Sequence, residues 1–215
     1  SLNARGLSAI ITIAKYFDEG ELLRIMNSTN GIITVFAGSA SRPFAQKMCD
    51  YLGVELGKST THIFSEGGIY VRADESIRNK DVYIVQSIGK DPNNAFTELI
   101  FWIDAFKRAS ANSITAIIPY FGYAKADKKD EPRVSIRARV CADCIEMCGA
   151  DRVVTMDLHA AQVQGFFSKP VDHLYASALL CEYARHLGIV NENLVVVSPD
   201  AGSAKRARAY ANILG

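Results

Sequence analysis

A carboxylate and an imidazole two positions apart close an apolar run: Val153-Val154-Thr155-Met156-Asp157-Leu158-His159. β-Branched residues in an unbroken row read as a strand buried on both faces, the habit of parallel sheets. Open α/β sheets bind ligands at the carboxyl ends of such strands. In extended backbone, side chains alternate with period two, so Asp157 and His159 are expected on one face, placed to share a ligand such as a divalent cation. The same residues also suit a plain strand end, with the carboxylate capping a turn and the ring satisfying a carbonyl. The pair alone does not decide between the two.

Two charged stretches also stand where strands are expected to end. Tyr123-Ala124-Lys125-Ala126-Asp127-Lys128-Lys129-Asp130-Glu131-Pro132-Arg133 interleaves cations with carboxylates just after the strand of residues 114–119, on the sheet edge that carries Asp157 and His159. Such a loop is often merely solvated. Beside a cation-holding strand end, its lysines could instead close over a polyphosphate and neutralise its charge. Ser198-Pro199-Asp200-Ala201-Gly202-Ser203-Ala204-Lys205-Arg206 presents an acid and then small residues whose N–H groups can turn toward an anion at a helix start. An aspartate there equally serves as a helix cap, and both readings stand.

Positioning these groups takes strands and helices in alternation, which the hydrophobic pattern supplies. Strands are expected at 32–36, 82–86, 114–119, around Val153 and at 194–197, while 56–64 and 69–73 alternate as a pair joined by Ser65-Glu66-Gly67-Gly68. Helices are expected from Pro43 to about Tyr51, at 93–110, 136–147 and 175–186, and from Ala204 to Tyr210. Residues 1–30 read as an extension with a short helix near 7–16 and a helical turn at 21–26. The result is an α/β fold with parallel sheets flanked by helices: an extension (1–30), a first domain (31–172) and a partial second domain (173–215) with a single strand. The chain is therefore expected to be a fragment.

With 215 residues, 49% apolar content and a formal net charge of +1, the chain is expected to be globular and soluble. Its neutral balance argues against nucleic-acid binding by bulk charge. No run reaches the roughly 20 apolar residues that span a bilayer, and no secretory or transit signature stands out at the start. Of the five cysteines, Cys141, Cys144 and Cys148 share one helical face. No second pair completes a ligand set, so core packing is their expected role. Free thiols suit a reducing, cytoplasmic setting.

Taken together the motifs are far more specific than any one of them. From about Ile32 to Ala211 the chain resembles the ribose-phosphate diphosphokinases, the phosphoribosyl pyrophosphate synthetases. The resemblance rests on Phe36-Ala37-Gly38-Ser39, Glu55-Leu56-Gly57-Lys58, Asp81-Val82-Tyr83-Ile84-Val85-Gln86, Ala126-Asp127-Lys128-Lys129-Asp130 and Thr155-Met156-Asp157-Leu158-His159. Gln164-Gly165-Phe166-Phe167 with Pro170-Val171-Asp172, and Ser198-Pro199-Asp200-Ala201-Gly202, extend it in the family's order.

The resemblance implies two phosphoribosyltransferase-like domains and transfer of the diphosphoryl group of ATP to ribose 5-phosphate, with Mg²⁺, giving phosphoribosyl pyrophosphate and AMP. It implies that Lys128, Lys129 and His159 act in catalysis, and that Asp157, His159, Asp172 and Asp200 serve the metal. Residues Lys125, Ala126, Asp127, Lys128, Lys129 and Asp130 would form a lid on ATP. Asp200, Ala201, Gly202 and Ser203 would face the ribose phosphate and its new pyrophosphate. Phe64, Glu66 and Gly68 would read adenine across a subunit boundary, in a homo-oligomer built from dimers, up to a hexamer.

The chain departs from the family pattern in places. Gly68 stands where a glutamate is usual and Glu66 where the pattern has Asn or Asp, which puts adenine selectivity in doubt. Lys125 replaces an arginine, Ala126 a frequent glutamine, and Ser168 an aspartate that some members carry. The family's later catalytic lysine and its Asp-Thr-Gly-Gly-Thr type loop would lie beyond Gly215, so the chain by itself is not expected to turn over. A non-catalytic subunit associated with such a synthetase stands as the alternative. A phosphoribosyltransferase, which shares the fold, leaves the Asp-Lys-Lys-Asp loop unexplained.

Overall fold

The computed structural model describes residues 33–215. The helices expected at 7–16 and 21–26 lie outside the described residues. The described chain divides between Leu174 and Tyr175 into two compact units.

The first unit is built on five parallel strands: β1 (Ile33–Ala37), β4 (Asp81–Val85), β5 (Ser113–Ile118), β6 (Arg152–Met156) and β7 (Val171–Leu174), in that spatial order. Between β1 and β4 the chain makes the expected antiparallel hairpin, β2 (Ser59–Ile63) and β3 (Ile69–Ala73), with Ile63 opposite Ile69. Helix α1 (Arg42–Leu52) follows β1, α2 (Pro92–Arg108) follows β4 and α3 (Arg137–Cys148) follows β5. The long α2 packs on β4, β5, the hairpin strand β3 and α3.

Local chemistry sets these elements. Pro43 sits in the first turn of α1, and Gly53 ends that helix in the left-handed region at φ 68°. Asp91 caps α2 by accepting from the Asn94 N–H, and Lys107 and Arg108 lie in its last turn, where the helix dipole favours cations. Under α2 the rings of Phe36, Trp102 and Phe106 pack with centroids 4.9–6.1 Å apart. Gly57 is required here, because a Cβ would stand 2.6 Å from the Phe36 ring.

Three sequence expectations change. Strand β6 stops at Met156, and Asp157 turns into the left-handed region at φ 45°, so the alternation of an extended strand is not what exposes Asp157 and His159. Strand β7 was not anticipated, because Val171-Asp172-His173-Leu174 is half-buried along its length and lacks an apolar run. Residues 194–197 form no strand. Backbone polar groups need a ladder partner to make one, and Val195 and Val197 instead remain 75% and 78% exposed.

That stretch belongs to the second unit, where α4 (Ser177–His186) packs against α5 (Ala204–Leu214) and the Arg185 guanidinium donates to the Ile213 carbonyl. No helix among the described residues is long and apolar enough to cross a membrane. All five cysteines are free thiols, and Cys141 packs in the core as expected.

Burial pushes the Cys49 thiol from 9.0 up to about 11 and the Cys141 thiol up to about 12, with smaller contributions from Asp50 and Cys144. Between pH 9 and these values the unfolded chain releases protons that the folded chain keeps, so stability is expected to fall as pH rises through that window. Urea midpoints at about pH 8.5 and about pH 10.5 should show the loss, and a C49A/C141A double variant should show less of it. Among the described residues the buried Thr155 hydroxyl finds no hydrogen-bond partner. Thr155→Val is accordingly expected to raise unfolding stability by about 1 kcal/mol, read from the same denaturation curves.

Candidate nucleotide and cation site

The end of β6 is held in place by β7. The Asp157 N–H donates to the Leu174 carbonyl at 2.9 Å, and the Leu158 N–H donates to His173 Nε2 at 2.9 Å. Leu158 is buried while Asp157 and His159 on either side are exposed, so carboxylate and imidazole both face solvent from one short turn. Burial lowers the pKa of His173 and Asp157 opposes the change, the first effect being the larger. A neutral ring is what the geometry requires, because an Nε2 that accepts must carry no proton. Its Nδ1 side meets Gln164 at 3.3 Å.

The basic loop rises from the neighbouring strand β5. Its base is fixed: Phe121 and Ala124 are buried, and the Tyr123 hydroxyl donates to Asn93 at the start of α2. The Ala126 carbonyl accepts the Ala138 N–H in the first turn of α3. Gly122 lets this loop cross the chain after β4, where a Cβ would lie 2.2 Å from the Ile88 carbonyl oxygen. Lys125, Lys128, Lys129 and Asp130 are exposed. Asp127 accepts from Gln162 Nε2 at 3.1 Å, tying the loop to the 3₁₀ turn Ala161–Phe166 that follows His159.

Beneath the adjoining loops lies a carboxylate that sequence reading missed. Glu98, on α2, is 2% exposed. It accepts from the Ser39 N–H at 2.9 Å and hydroxyl at 2.5 Å, from Thr61 Oγ1 at 3.2 Å, Gln86 Nε2 at 2.9 Å and Trp102 Nε1 at 3.4 Å. Gln86 in turn accepts the Ala40 N–H at 3.2 Å, and a Cβ on Gly38 would stand 2.4 Å from its Oε1. The loop after β1 is thus moulded onto α2 and the end of β4. A glutamate at a helix position otherwise reserved for Leu99, Trp102 and Phe106 was the available signal.

Other expected site residues fall elsewhere. Asp172 lies beside Val154 in the sheet, three residues short of Asp157, or roughly 10 Å along the strand. Its carboxylate pairs with the Arg152 guanidinium at 2.7 Å, so it does not join Asp157 and His159 as the motif implied. Asp200, in the second unit, caps the short turn Ala201–Ser203 by accepting the Ser203 N–H at 2.7 Å. Hydrogen bonding by Ser203, its side chain first and its N–H second, holds the Asp200 carboxyl below the usual range. At the hairpin tip Phe64 is 45% exposed and flanked by His62 and Tyr70 rings. Glu66 folds back over Gly68, with Oε1 3.5 Å from the place a Cβ at 68 would take.

Residues 33–149 match the family model described as the N-terminal domain of ribose phosphate pyrophosphokinase. The chain belongs to the ribose-phosphate pyrophosphokinase family. A ribose-phosphate pyrophosphokinase of Porphyromonas gingivalis is 50% identical over 190 residues, which cover 88% of this chain and 60% of that protein. A chloroplastic ribose-phosphate pyrophosphokinase of Arabidopsis thaliana is 44% identical over 203 residues, covering 94% of this chain and 51% of that one. The crystal structure of a phosphoribosylpyrophosphate synthetase from Mycobacterium smegmatis superposes with a TM-score of 0.81 at 43% identity, covering 85% of this chain and 61% of that one. The chain therefore spans 51–61% of the length of these ribose-phosphate pyrophosphokinases and synthetases.

Among the described residues, no three His, Cys, Asp or Glu side chains gather into a cation cage. A small hard cation bound with a nucleotide needs only one or two protein carboxylates, the rest of its shell being water and phosphate oxygen. Asp157, exposed at a strand end beside His159, fits that partial role.

Glu98→Gln keeps the shape of the side chain but turns an NH₂ toward groups that donate. It is expected to cost about 2–3 kcal/mol in urea unfolding, with amide protection at Ser39 lost first. Thr61→Val, which removes only one of the five donors, should cost less than about 1 kcal/mol.

Proposed function

We propose that the chain is the ATP- and cation-handling part of a ribose-phosphate pyrophosphokinase, which moves a diphosphoryl group from ATP to ribose 5-phosphate. One observation carries this reading: the exposed Asp157–His159 pair sits at the sheet edge from which the basic loop rises, and the Asp127–Gln162 bond links the two. The anomeric hydroxyl attacks the β-phosphorus and the bond from that phosphorus to the oxygen bridging it to the α-phosphorus breaks. AMP leaves, and the hydroxyl proton is released.

No covalent intermediate on the protein is needed, so positioning and charge neutralisation do most of the work. Lys128 and Lys129 can neutralise the phosphate oxygens as charge shifts, and the anchored loop base lets the tip close without disturbing the sheet. Asp157, with His159 beside it, would hold Mg²⁺, which would offset phosphate charge when bound. The exposed Asp200–Gly202 segment leading into α5 supports a phosphate or pyrophosphate contact, with Asp200 as an acid for a cation.

The exposed apolar tip of the hairpin, Ile63, Phe64 and Tyr70, supports its use against a neighbouring subunit, and hence a homo-oligomer assembled from dimers, up to a hexamer. At that tip Glu66 supplies a carboxylate where residue 68 has none. Five free thiols support a reducing compartment such as the cytoplasm.

Full-length protein carrying this segment is expected to convert ATP, Mg²⁺ and ribose 5-phosphate into AMP and phosphoribosyl pyrophosphate. A K128A/K129A variant should lower kcat by at least about 100-fold with an unchanged circular dichroism spectrum. His159→Ala should weaken metal–nucleotide binding with the fold intact. No AMP from a correctly assembled full-length sample would overturn the catalytic reading in favour of a non-catalytic associated subunit.

A further inference from the structure

We propose that His173 is a positioning residue for the Asp157–His159 turn, acting by accepting the Leu158 N–H. The inference rests on the reading of Asp157 as a cation-holding group and deepens it.

The turn is strained. Asp157 has φ 45°, a region that side-chain-bearing residues enter at a cost and keep only when their surroundings hold them there. Three restraints hold it: the Asp157 N–H bond to Leu174, the buried Leu158 side chain, and the Leu158 N–H bond to His173 Nε2. The first continues the backbone ladder and the second asks only for an apolar residue. The third depends on the chemistry of one side chain. An aliphatic or aromatic hydrocarbon at position 173 would leave the Leu158 N–H, beside a buried side chain, without this acceptor, and the turn would relax toward a conformation that lets water in.

The ring lies against the turn that follows His159. The Gln164 side chain stands 3.3 Å from Nδ1 and donates to the Ala161 carbonyl at 2.9 Å. Gln164 belongs to the same 3₁₀ turn as Gln162, which holds the basic loop through Asp127. A single short turn therefore touches both halves of the site. One of its amides faces the ring that sets the acid and imidazole, and the other holds the loop that carries the lysines. Asp172 of strand β7 is turned to Arg152. The strand's part is to deliver this acceptor.

The test uses the full-length protein, hydrogen exchange at single amides, and Mn²⁺ with ATP followed by electron paramagnetic resonance. In His173→Phe, exchange at Leu158 is expected to rise at least about tenfold while Thr34 and Ile84 stay protected, and the apparent Kd for Mn²⁺-ATP should weaken about tenfold. His173→Gln, whose amide oxygen can accept from the same direction, should restore both. His173→Leu, which also lacks the acceptor but adds no aromatic bulk, should speed Leu158 exchange to the same degree and covers the case in which His173→Phe does not fold. Protection at Leu158 that survives in His173→Phe or in His173→Leu overturns the proposal, as does failure of His173→Gln to restore it. Asp157→Asn separates the two levels: Mn²⁺-ATP bound as tightly as by the parent overturns the cation reading, while the Leu158 exchange still decides the role of His173.

Discussion

A single buried carboxylate joins the parts of the first unit. Glu98 receives hydrogen bonds from the loop after β1, from hairpin strand β2, from the end of β4 and from its own helix α2. Burying an acid is unfavourable unless its oxygens are saturated with donors. Saturation here draws four segments together, each bringing donors to the two buried oxygens. Apolar contact between α2 and the sheet could tolerate a shift of an ångström or two. The directional bonds to Glu98 could not. They fix where the Gly38–Ala40 loop runs and how the hairpin leaves the sheet.

The carboxyl edge is then divided between a rigid side and a strained one. Around β1 and β4 the buried side chains Glu98 and Gln86 are hydrogen-bonded, and Gly38 and Gly122 allow backbone to pass where a Cβ would collide with Gln86 or with the Ile88 carbonyl. Around β6 and β7 the strand breaks early and Asp157 adopts an unusual backbone angle. Strain of this kind persists where surrounding structure over-determines it, and it exposes two chemically useful groups while their neighbour Leu158 stays in the core. The basic loop between these sides is anchored at its base and solvated at its tip. That combination suits a charge that must approach a polyanion and then release it.

Much of the fold was legible because hydrophobic periodicity reports burial directly. The runs that became β1, β4, β5 and β6 are apolar on both faces, and the Ser65-Glu66-Gly67-Gly68 turn announced the hairpin. Strand β7 was not legible, since four half-buried residues with Asp and His among them carry no such pattern. Residues 194–197 show the opposite failure: Val195, Val196 and Val197 have strand character, but character alone makes no ladder. In the site, Asp157, His159 and the lysine loop could be read from residue types at strand ends. His173 and Glu98 could not, because their roles depend on hydrogen bonds to residues 15 and 59 positions away. Asp172 shows why a motif overstates proximity. Its place in the sequence suited a shared cation, yet the register with Val154 sets it well back along the sheet, against Arg152.

The hairpin tip takes its shape from two glycines. Gly67 takes φ 89°, so the turn needs glycine there, and Gly68 leaves open the space into which Glu66 folds, with Oε1 3.5 Å from where a Cβ at 68 would stand. The Phe64 ring lies 3.7 Å from the same point, so a larger residue at 68 would compete with both side chains. A side chain at 68 and the present course of Glu66 therefore exclude one another, while Phe64 stays 45% exposed with the His62 ring 4.8 Å away.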